Sequence, residues 1–502
     1  MELLNNLLLG FQVASDPTIL WYCFFGVFLG TAVGVLPGIG ALAAISLLLP
    51  MTYHMSPTAA IVMLAGVYYG AQYGGSTASI LMNLPGGPAS AVTCLDGYPM
   101  TKNGKAGVAL FITTIASLAG AMSGLILLVL FSPAIAEVGL KFGPYEMFAM
   151  MVMGLVAASS MGTGSPIKGL AMVVMGVLMG MVGTDVNSGV ARYSFDVPEL
   201  TDGINLVALA MGLFGVSEVI RNIRAQESHR VGKVTLRSMI PTKQEMRLSY
   251  PAMARGSALG SALGALPGVG PSIASFMSYA IEKRVAKDPG QFGKGAVQGI
   301  SAPESANNAA AQTAFVPSLS LGIPGDAVMA IMLGALIIHG ITPGPMFINE
   351  QPEMFWGLVV SFAIGNIMLV LLNIPTIGIW VSLLRIPFTW LYPAILVFVA
   401  LGVYSVNNNV FDVYMVAGLG ALGYLFVLLR FEAAPLLLGY ILGPMVEENL
   451  RRALLLSRGD AMVFFQRPIS ATLLYLTMAM LAWALFSYVR RSIRKTHTQL
   501  AI

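Results

Sequence analysis

Two runs of small and polar residues interrupt an otherwise apolar sequence. The first reads Tyr73-Gly74-Gly75-Ser76-Thr77-Ala78-Ser79 and leads into Asn83-Leu84-Pro85-Gly86-Gly87. The second reads Pro303-Glu304-Ser305-Ala306-Asn307-Asn308-Ala309 and leads into Ser320-Leu321-Gly322-Ile323-Pro324-Gly325-Asp326. Their chemistry would be binding and not bond-making. Pro-Gly stops a helix, and a broken helix exposes amide N–H groups at the start of its second half and carbonyls at the end of its first. The former suit a carboxylate, the latter a cation such as sodium, while Ser, Thr and Asn add short donors and acceptors. The binding candidates are Gly38, Gly40, Ser76, Thr77, Asn83 and Gly86, with Gly268, Gly270, Ser305, Asn307, Asn308 and Gly325. Pro37, Pro85, Pro267 and Pro324 would set the breaks. Glu304 and Asp326 flank the polar runs and either bind a coupling cation or sit in a solvated loop. Lys168, isolated in GSPIKG, either offsets ligand charge or snorkels. For any single glycine, close helix packing is the competing explanation.

The elements holding these residues must lie in lipid. Of 502 residues, 56% are apolar and 10% charged, well under the roughly 25% charged content of soluble domains. Mean hydropathy is +0.78, and apolar runs long enough for a bilayer core recur along the chain. The expectation is an all-α, polytopic membrane protein with ten to fourteen crossings. Spans are expected near 18–50, 57–84, 107–136, 144–162, 167–184 and 203–221, then 252–281, 295–323, 326–342, 355–384, 391–406, 411–430, 433–446 and 469–489. Cys23 and Cys94 indicate neither a disulfide framework nor a zinc site, and His54, His229, His339 and His497 lack metal-ligand spacing. The N-terminus has no basic region of the kind that opens a signal peptide, so insertion without cleavage is expected.

The chain contains an internal repeat. GVFLGTAVGVLPGIG (26–40) matches GSALGSALGALPGVG (256–270) at eight of fifteen positions with an offset of 230. A weaker match sets ILMNLPG (80–86) against LSLGIPG (319–325) at an offset of 239. Charge suggests how the copies are oriented. Residues 221–255 carry eight basic side chains against Glu227 and Glu245, and 282–294 add Lys283, Arg284, Lys287 and Lys294, so both flanks of the second copy read as cytoplasmic. The second copy would then be a re-entrant hairpin, the alternative being one kinked crossing. The first copy has no basic flank, which fits a hairpin from outside. Loops 185–202 and 350–353 are acidic and also read as external, whereas 447–467 mixes signs and is assigned to neither side. Two such hairpins imply inverted-topology repeats with broken helices. The expected organisation is a first half at 1–221, a cytoplasmic connection at 222–251 and a second half at 252–446. Residues 447–502 would supply an amphipathic segment, the last span and a basic cytoplasmic tail.

No phosphate loop, H-E-x-x-H or G-x-S-x-G with a membrane-embedded partner occurs, and LGIPGD (321–326) resembles an aspartyl-protease motif only superficially. An intramembrane enzyme is therefore the weakest reading, behind a passive anion channel or a non-transporting scaffold. The motifs VGVLPGIG (33–40), YYGAQYGGSTASILMNLPG (68–86), GALPGVGPSIASFMSYAIEKR (264–284), SAPESANNAAAQTAFVPSLSLGIPGD (301–326) and ITPGP (341–345) resemble the large membrane (permease) subunit of the tripartite tricarboxylate transporters. That resemblance implies a bacterial inner-membrane permease, not an enzyme. It would work with a small membrane subunit of few spans and a periplasmic solute-binding protein, without an ATPase subunit, a nucleic-acid partner or a resident cofactor. The cargo it implies is citrate or a related organic carboxylate, driven by a sodium or proton gradient.

Overall fold

In the computed structural model the described residues are 2–36, 39–139, 141–159, 166–185, 188–222, 236–266, 269–384 and 388–499. About 80% of the chain is helical. Among the described residues the only strands are a two-residue antiparallel pair, Gly183–Thr184 with Ala191–Arg192. The chain begins with α1 (Glu2–Ala14), α2 (Pro17–Val35), α3 (Gly40–Thr52) and α4 (Pro57–Met82). Next come α5 (Cys94–Lys102), the long α6 (Ala106–Gly139), α7 (Pro144–Ala158) and α8 (Pro166–Gly180). α9 (Leu206–Ala210) and α10 (Ser217–Asn222) are joined by a π-helical turn at Met211–Val216. After the polar connection come α11 (Lys243–Gly264), α12 (Gly270–Val285), α13 (Gln298–Thr313), α14 (Phe315–Leu321) and α15 (Ala327–Ile338). α16 (Phe347–Glu350), α17 (Pro352–Asn373), α18 (Ile377–Leu383), α19 (Phe388–Asn407) and α20 (Val410–Leu428) follow. The last helices are α21 (Ala434–Leu456), α22 (Val463–Gln466) and α23 (Pro468–Gln499).

Local chemistry sets many of these boundaries. Asp16 caps α2, accepting from the backbone N–H of Thr18 at 2.8 Å and of Ile19 at 3.3 Å. Those two donors hold its carboxyl below the usual aspartate value. Thr242 and Glu245 form a reciprocal capping box at the start of α11. Among the described residues four helices are long and apolar enough to cross a bilayer: Pro17–Val35, Ala106–Phe131 within α6, Pro352–Asn373 and Val410–Leu428. Further apolar helices, such as Gly40–Thr52, Pro166–Gly180 and Ala327–Ile338, are only 10–17 residues long, and Pro and Gly divide stretches that hydropathy alone reads as continuous spans. The expected 295–323 span is α13 and α14, and 355–384 is α17 and α18.

Glycine stripes fix how the central helices meet. On α2, Gly26, Gly30 and Gly34 press against the main chain of Met63, Val67 and Ala71 of α4. On α11, Gly256, Gly260 and Gly264 press against the main chain of Ala302, Ala306 and Ala310 of α13. A Cβ at any of these six positions would strike a backbone carbonyl. The glycines are 230 residues apart and their partners 239 apart, so the packing reproduces both sequence offsets. α4 and α13 are the most secluded helices, with every residue from Ala59 to Val67 and from Gly299 to Thr313 buried. The chain also turns back between α11 and α12, since Arg255 and Glu282 pair across them at 2.6 Å.

Ionic contacts tie the C-terminal third to the first half. Arg192 and Arg451 both bind Asp185 and Glu447, and Arg467 reaches Glu146 at 2.6 Å. Glu447 and Arg451, within the stretch that charge left unassigned, therefore lie against the 183–203 loop. Because the glycine contacts are main chain on main chain, Gly260→Leu should cost more than the about 1–3 kcal/mol of ordinary overpacking and abolish the monodisperse peak in fluorescence-detected size exclusion. Gly418→Leu, on an open face of α20, should leave that peak intact.

Candidate functional site

α4 and α13 run antiparallel with polar side chains between them. The Ser76 hydroxyl donates to Glu304 Oε1 at 2.6 Å, and Asn307 Nδ2 donates to Gln72 Oε1 at 3.3 Å. One turn beyond, the Tyr68 hydroxyl donates to Asp326 Oδ2 at 2.5 Å. Two further hydroxyls converge on Glu304: Thr93 on Oε1 at 2.6 Å, and Ser117 of α6 on Oε2 at 3.4 Å. Glu304 is only 1% exposed. Beside it lies a cavity of about 10 Å³, room for one water centre, lined chiefly by Tyr73, Ser76, Thr77, Thr113, Ser117 and Asn373. The side-chain oxygens Asn307 Oδ1 and Asn308 Oδ1 are buried without a hydrogen-bond partner. They are the acceptors a ligand would find unspent.

The seam ends in two matching breaks. Asn83 caps α4 at φ 58°, and Gly322 caps α14 at φ 66°. Those residues lie 239 apart, so the weaker sequence repeat corresponds to two left-handed helix ends. Gly40 and Gly270, 230 apart, open α3 and α12 at φ 66° and 64°, where a side chain would be strained. Each is set against the Pro-Gly break of its own half: Gly40 beside the Gly86 carbonyl, Gly270 beside Gly325 and Asp326. Beyond the second break, Asp326 caps α15 by accepting from the Met329 N–H at 2.8 Å.

The sequence candidates divide accordingly. Ser76, Glu304, Asn307 and Asn308 meet at the seam, and Thr77 lines the cavity beside it. Gly40, Asn83, Pro85 and Gly86 form the first break, and Gly270, Pro324, Gly325 and Asp326 the second. Pro37, Gly38, Pro267 and Gly268 lie outside the described residues. Ser305 departs from expectation: its hydroxyl donates to the Met253 carbonyl of α11 at 3.0 Å, because the α13 turn that aims Glu304 at α4 turns Ser305 toward the glycine-packed side. Neither acid sits in a solvated loop, since Glu304 is inside a buried helix and Asp326 is a partly buried cap. Lys168 donates to the Leu429 carbonyl at 2.6 Å and covers the Phe431 ring, so it closes the end of α20 far from the seam. Cys23 is packed beneath α17 against the Ser361 carbonyl. Sequence reasoning missed Tyr68, Gln72, Thr93 and Ser117. Tyr68 and Gln72 sit two and one helical turns before Ser76 on α4, a spacing that would have pointed to them; Thr93 and Ser117 join only through tertiary contact.

Bilayer-length helices around a buried polar seam, with paired helix breaks, define a polytopic membrane protein. Residues 20–438 match the Tripartite tricarboxylate transporter TctA family, and the chain belongs to it, a family of transporters and not of enzymes. It is 50% identical over 490 residues, 98% of each chain, to an uncharacterized 52.8 kDa protein of the TAR-I ttuC' 3' region of Agrobacterium vitis. It is also 54% identical over 221 residues to an uncharacterized protein of the TAR-II ttuC' 3' region of the same organism, covering 44% of this chain and 91% of that one. No solved structure matches. The left-handed cap at Asn83 yields a direct test. Asn83→Gly should leave thermal stability in detergent near wild type, whereas Asn83→Val should lose about 1–2 kcal/mol and lower the melting temperature.

Proposed function

We propose that this chain is the permease subunit of a binding-protein-dependent secondary transporter that imports citrate or related organic carboxylates. It works in the bacterial inner membrane beside a small membrane subunit, receives its cargo from a periplasmic solute-binding protein, and draws on a sodium or proton gradient. One observation carries the reading: two Pro-Gly breaks at equivalent places of a duplicated unit, joined by a buried seam of carboxylates, amides and hydroxyls. Broken helices in both halves are the usual construction of a site at the bilayer midplane. The N–H groups after each break would hold the carboxylate, and the unspent oxygens of Asn307 and Asn308, which can only accept, would take the hydrogen of a hydroxyl such as citrate carries.

The two halves act as inverted repeats in this mechanism, rocking about α4 and α13 to open the seam to one side and then the other. The basic connection at 222–251 and the C-terminus face the cytoplasm, and α11 with α12 forms a re-entrant hairpin from that face. Several contacts support this topology. Lys105, at the start of α6, pairs with Glu245 at 2.9 Å, which sets that end of α6 beside the basic connection. The Arg255–Glu282 pair returns α12 toward the same side.

Uptake of labelled citrate into vesicles carrying the complete system should require a sodium or proton gradient, and Asn308→Leu should abolish it without reducing the amount of inserted protein. Uptake that persists with both gradients collapsed would overturn secondary transport in favour of a channel. In an accessibility scan, Asp288→Cys should label only from the cytoplasm and Val190→Cys only from outside. Labelling of both from one side would eliminate the inverted arrangement.

A further inference from the structure

Glu304 presents an electrostatic problem that the fold does not solve with a cation. It is 1% exposed, in the middle of α13, and its hydrogen-bond partners are the neutral hydroxyls of Ser76, Thr93 and Ser117. Among the described residues no Lys, Arg or His forms an ion pair with it. The nearby bases are committed elsewhere: Arg255 of α11 to Glu282 of α12, and Lys105 to Glu245. The ionisable groups facing it are Tyr73 of α4 and Cys94 of α5. Asp96 of α5, one turn away beside Gly299, is itself satisfied by the N–H groups of Gly293, Gly295 and Ala296 and by Tyr279. None of these is a positive charge. An unpaired carboxylate so placed costs several kcal/mol, so the site favours a neutral Glu304.

We propose that Glu304 is the coupling group of the transporter and that the ion it takes is a proton. This rests on the transport reading above and narrows its choice of driving ion. The spacing of the hydroxyls favours a proton over a metal cation. Ser76 Oγ and Thr93 Oγ1 both stand 2.6 Å from Oε1, the separation of O–H···O hydrogen bonds. Oxygens sharing one hard cation, each about 2.3–2.6 Å from it, stand roughly 3 Å or more apart. The other carboxyl oxygen, Oε2, has only the long 3.4 Å contact to Ser117 and is free to bear the hydrogen. The water-sized cavity touches Ser76 and Ser117 and so offers a bridge by which the proton reaches and leaves that oxygen. Only the O–H bond forms and breaks: the proton is taken from water on one side of the membrane and returned to water on the other.

Asp326 is built differently. It is half-buried at the start of α15, where it accepts from the Met329 N–H and the Tyr68 hydroxyl. It therefore serves as the cap of α15 and stands outside the hydroxyl cluster of Ser76, Thr93 and Ser117.

Infrared difference spectroscopy on the purified full chain tests this without a transported ligand. At neutral pH the wild type should show a protonated-carboxyl C=O band that is insensitive to sodium, persists in Asp326→Asn and is lost in Glu304→Gln. Should Glu304→Gln fail to fold, Ser76→Ala and Glu304→Asp keep the question open to measurement: the band should move up in frequency in the first and shift without vanishing in the second. Absence of the band, its loss in Asp326→Asn, or its titration by sodium would overturn the proposal. In vesicles, Glu304→Gln should lower proton-driven citrate accumulation at least ten-fold, and accumulation driven by sodium but indifferent to the proton gradient would overturn it. If the wild type carries no citrate at all, the reading of the preceding subsection fails, and the infrared result still decides the protonation of Glu304.

Discussion

The approach of glycine to backbone carbonyl, repeated along α2 on α4 and α11 on α13, governs the centre of this protein. It brings main chain against main chain, leaving no side-chain layer between the paired helices and no path for lipid to reach the polar residues of α4 and α13. Inside a bilayer, a helix presenting Ser76, Gln72 and Tyr68 on one face would be poorly tolerated unless that face met another polar one. The stripes press α4 and α13 from behind and leave their polar faces to meet each other. Small residues on one side of each helix thus permit polar residues on the opposite side.

This arrangement separates two ways of keeping acids in an apolar setting. At the rim, Asp185, Glu447, Glu146, Glu245 and Glu282 are paired with arginine or lysine, and Asp96 is wrapped in backbone N–H groups. At the seam, Glu304 has only hydroxyls. Hydroxyls can donate and accept, so a carboxyl among them can change its charge without any partner being stranded. Arginine in the same place would pin the charge. The contrast between a fixed ionic rim and an adaptable hydroxyl centre is what the proposed reversible binding requires.

Much of this was legible in the sequence. The repeat and its 230-residue offset pointed to a duplicated unit, which returns as matching glycine stripes and as the positive φ of Gly40 and Gly270. The 239-residue offset, weak as a string of letters, corresponds to a real pair of left-handed caps, with Asn83 in one copy replacing Gly322 in the other. Asn and Gly are the residues that tolerate that conformation. What the sequence did not reveal is direction. Ser305 and Ser76 look equally suitable in a polar run, yet the rotation of α13 turns one to the packing side and leaves the other at the seam. Thr93 and Ser117 were invisible because they lie outside both polar runs and reach Glu304 only through tertiary contact. The number of complete crossings was likewise hidden, since hydropathy sums over the Pro-Gly breaks that cut spans into partial helices.

The seam has a consequence for how the protein is made. Ser76 meets Glu304 across 228 residues of sequence, and Tyr68 meets Asp326 across 258. Everything from α5 to α12 must leave the ribosome before α4 finds its polar partner. For that interval the first half is a membrane object with its hydroxyls and amides unpaired, and it must be sheltered by the insertion machinery or by its own transient contacts. Pairing so distant in sequence makes slow, late assembly intrinsic to the fold. A truncated first half would therefore be a substrate for membrane quality control, not a functional fragment.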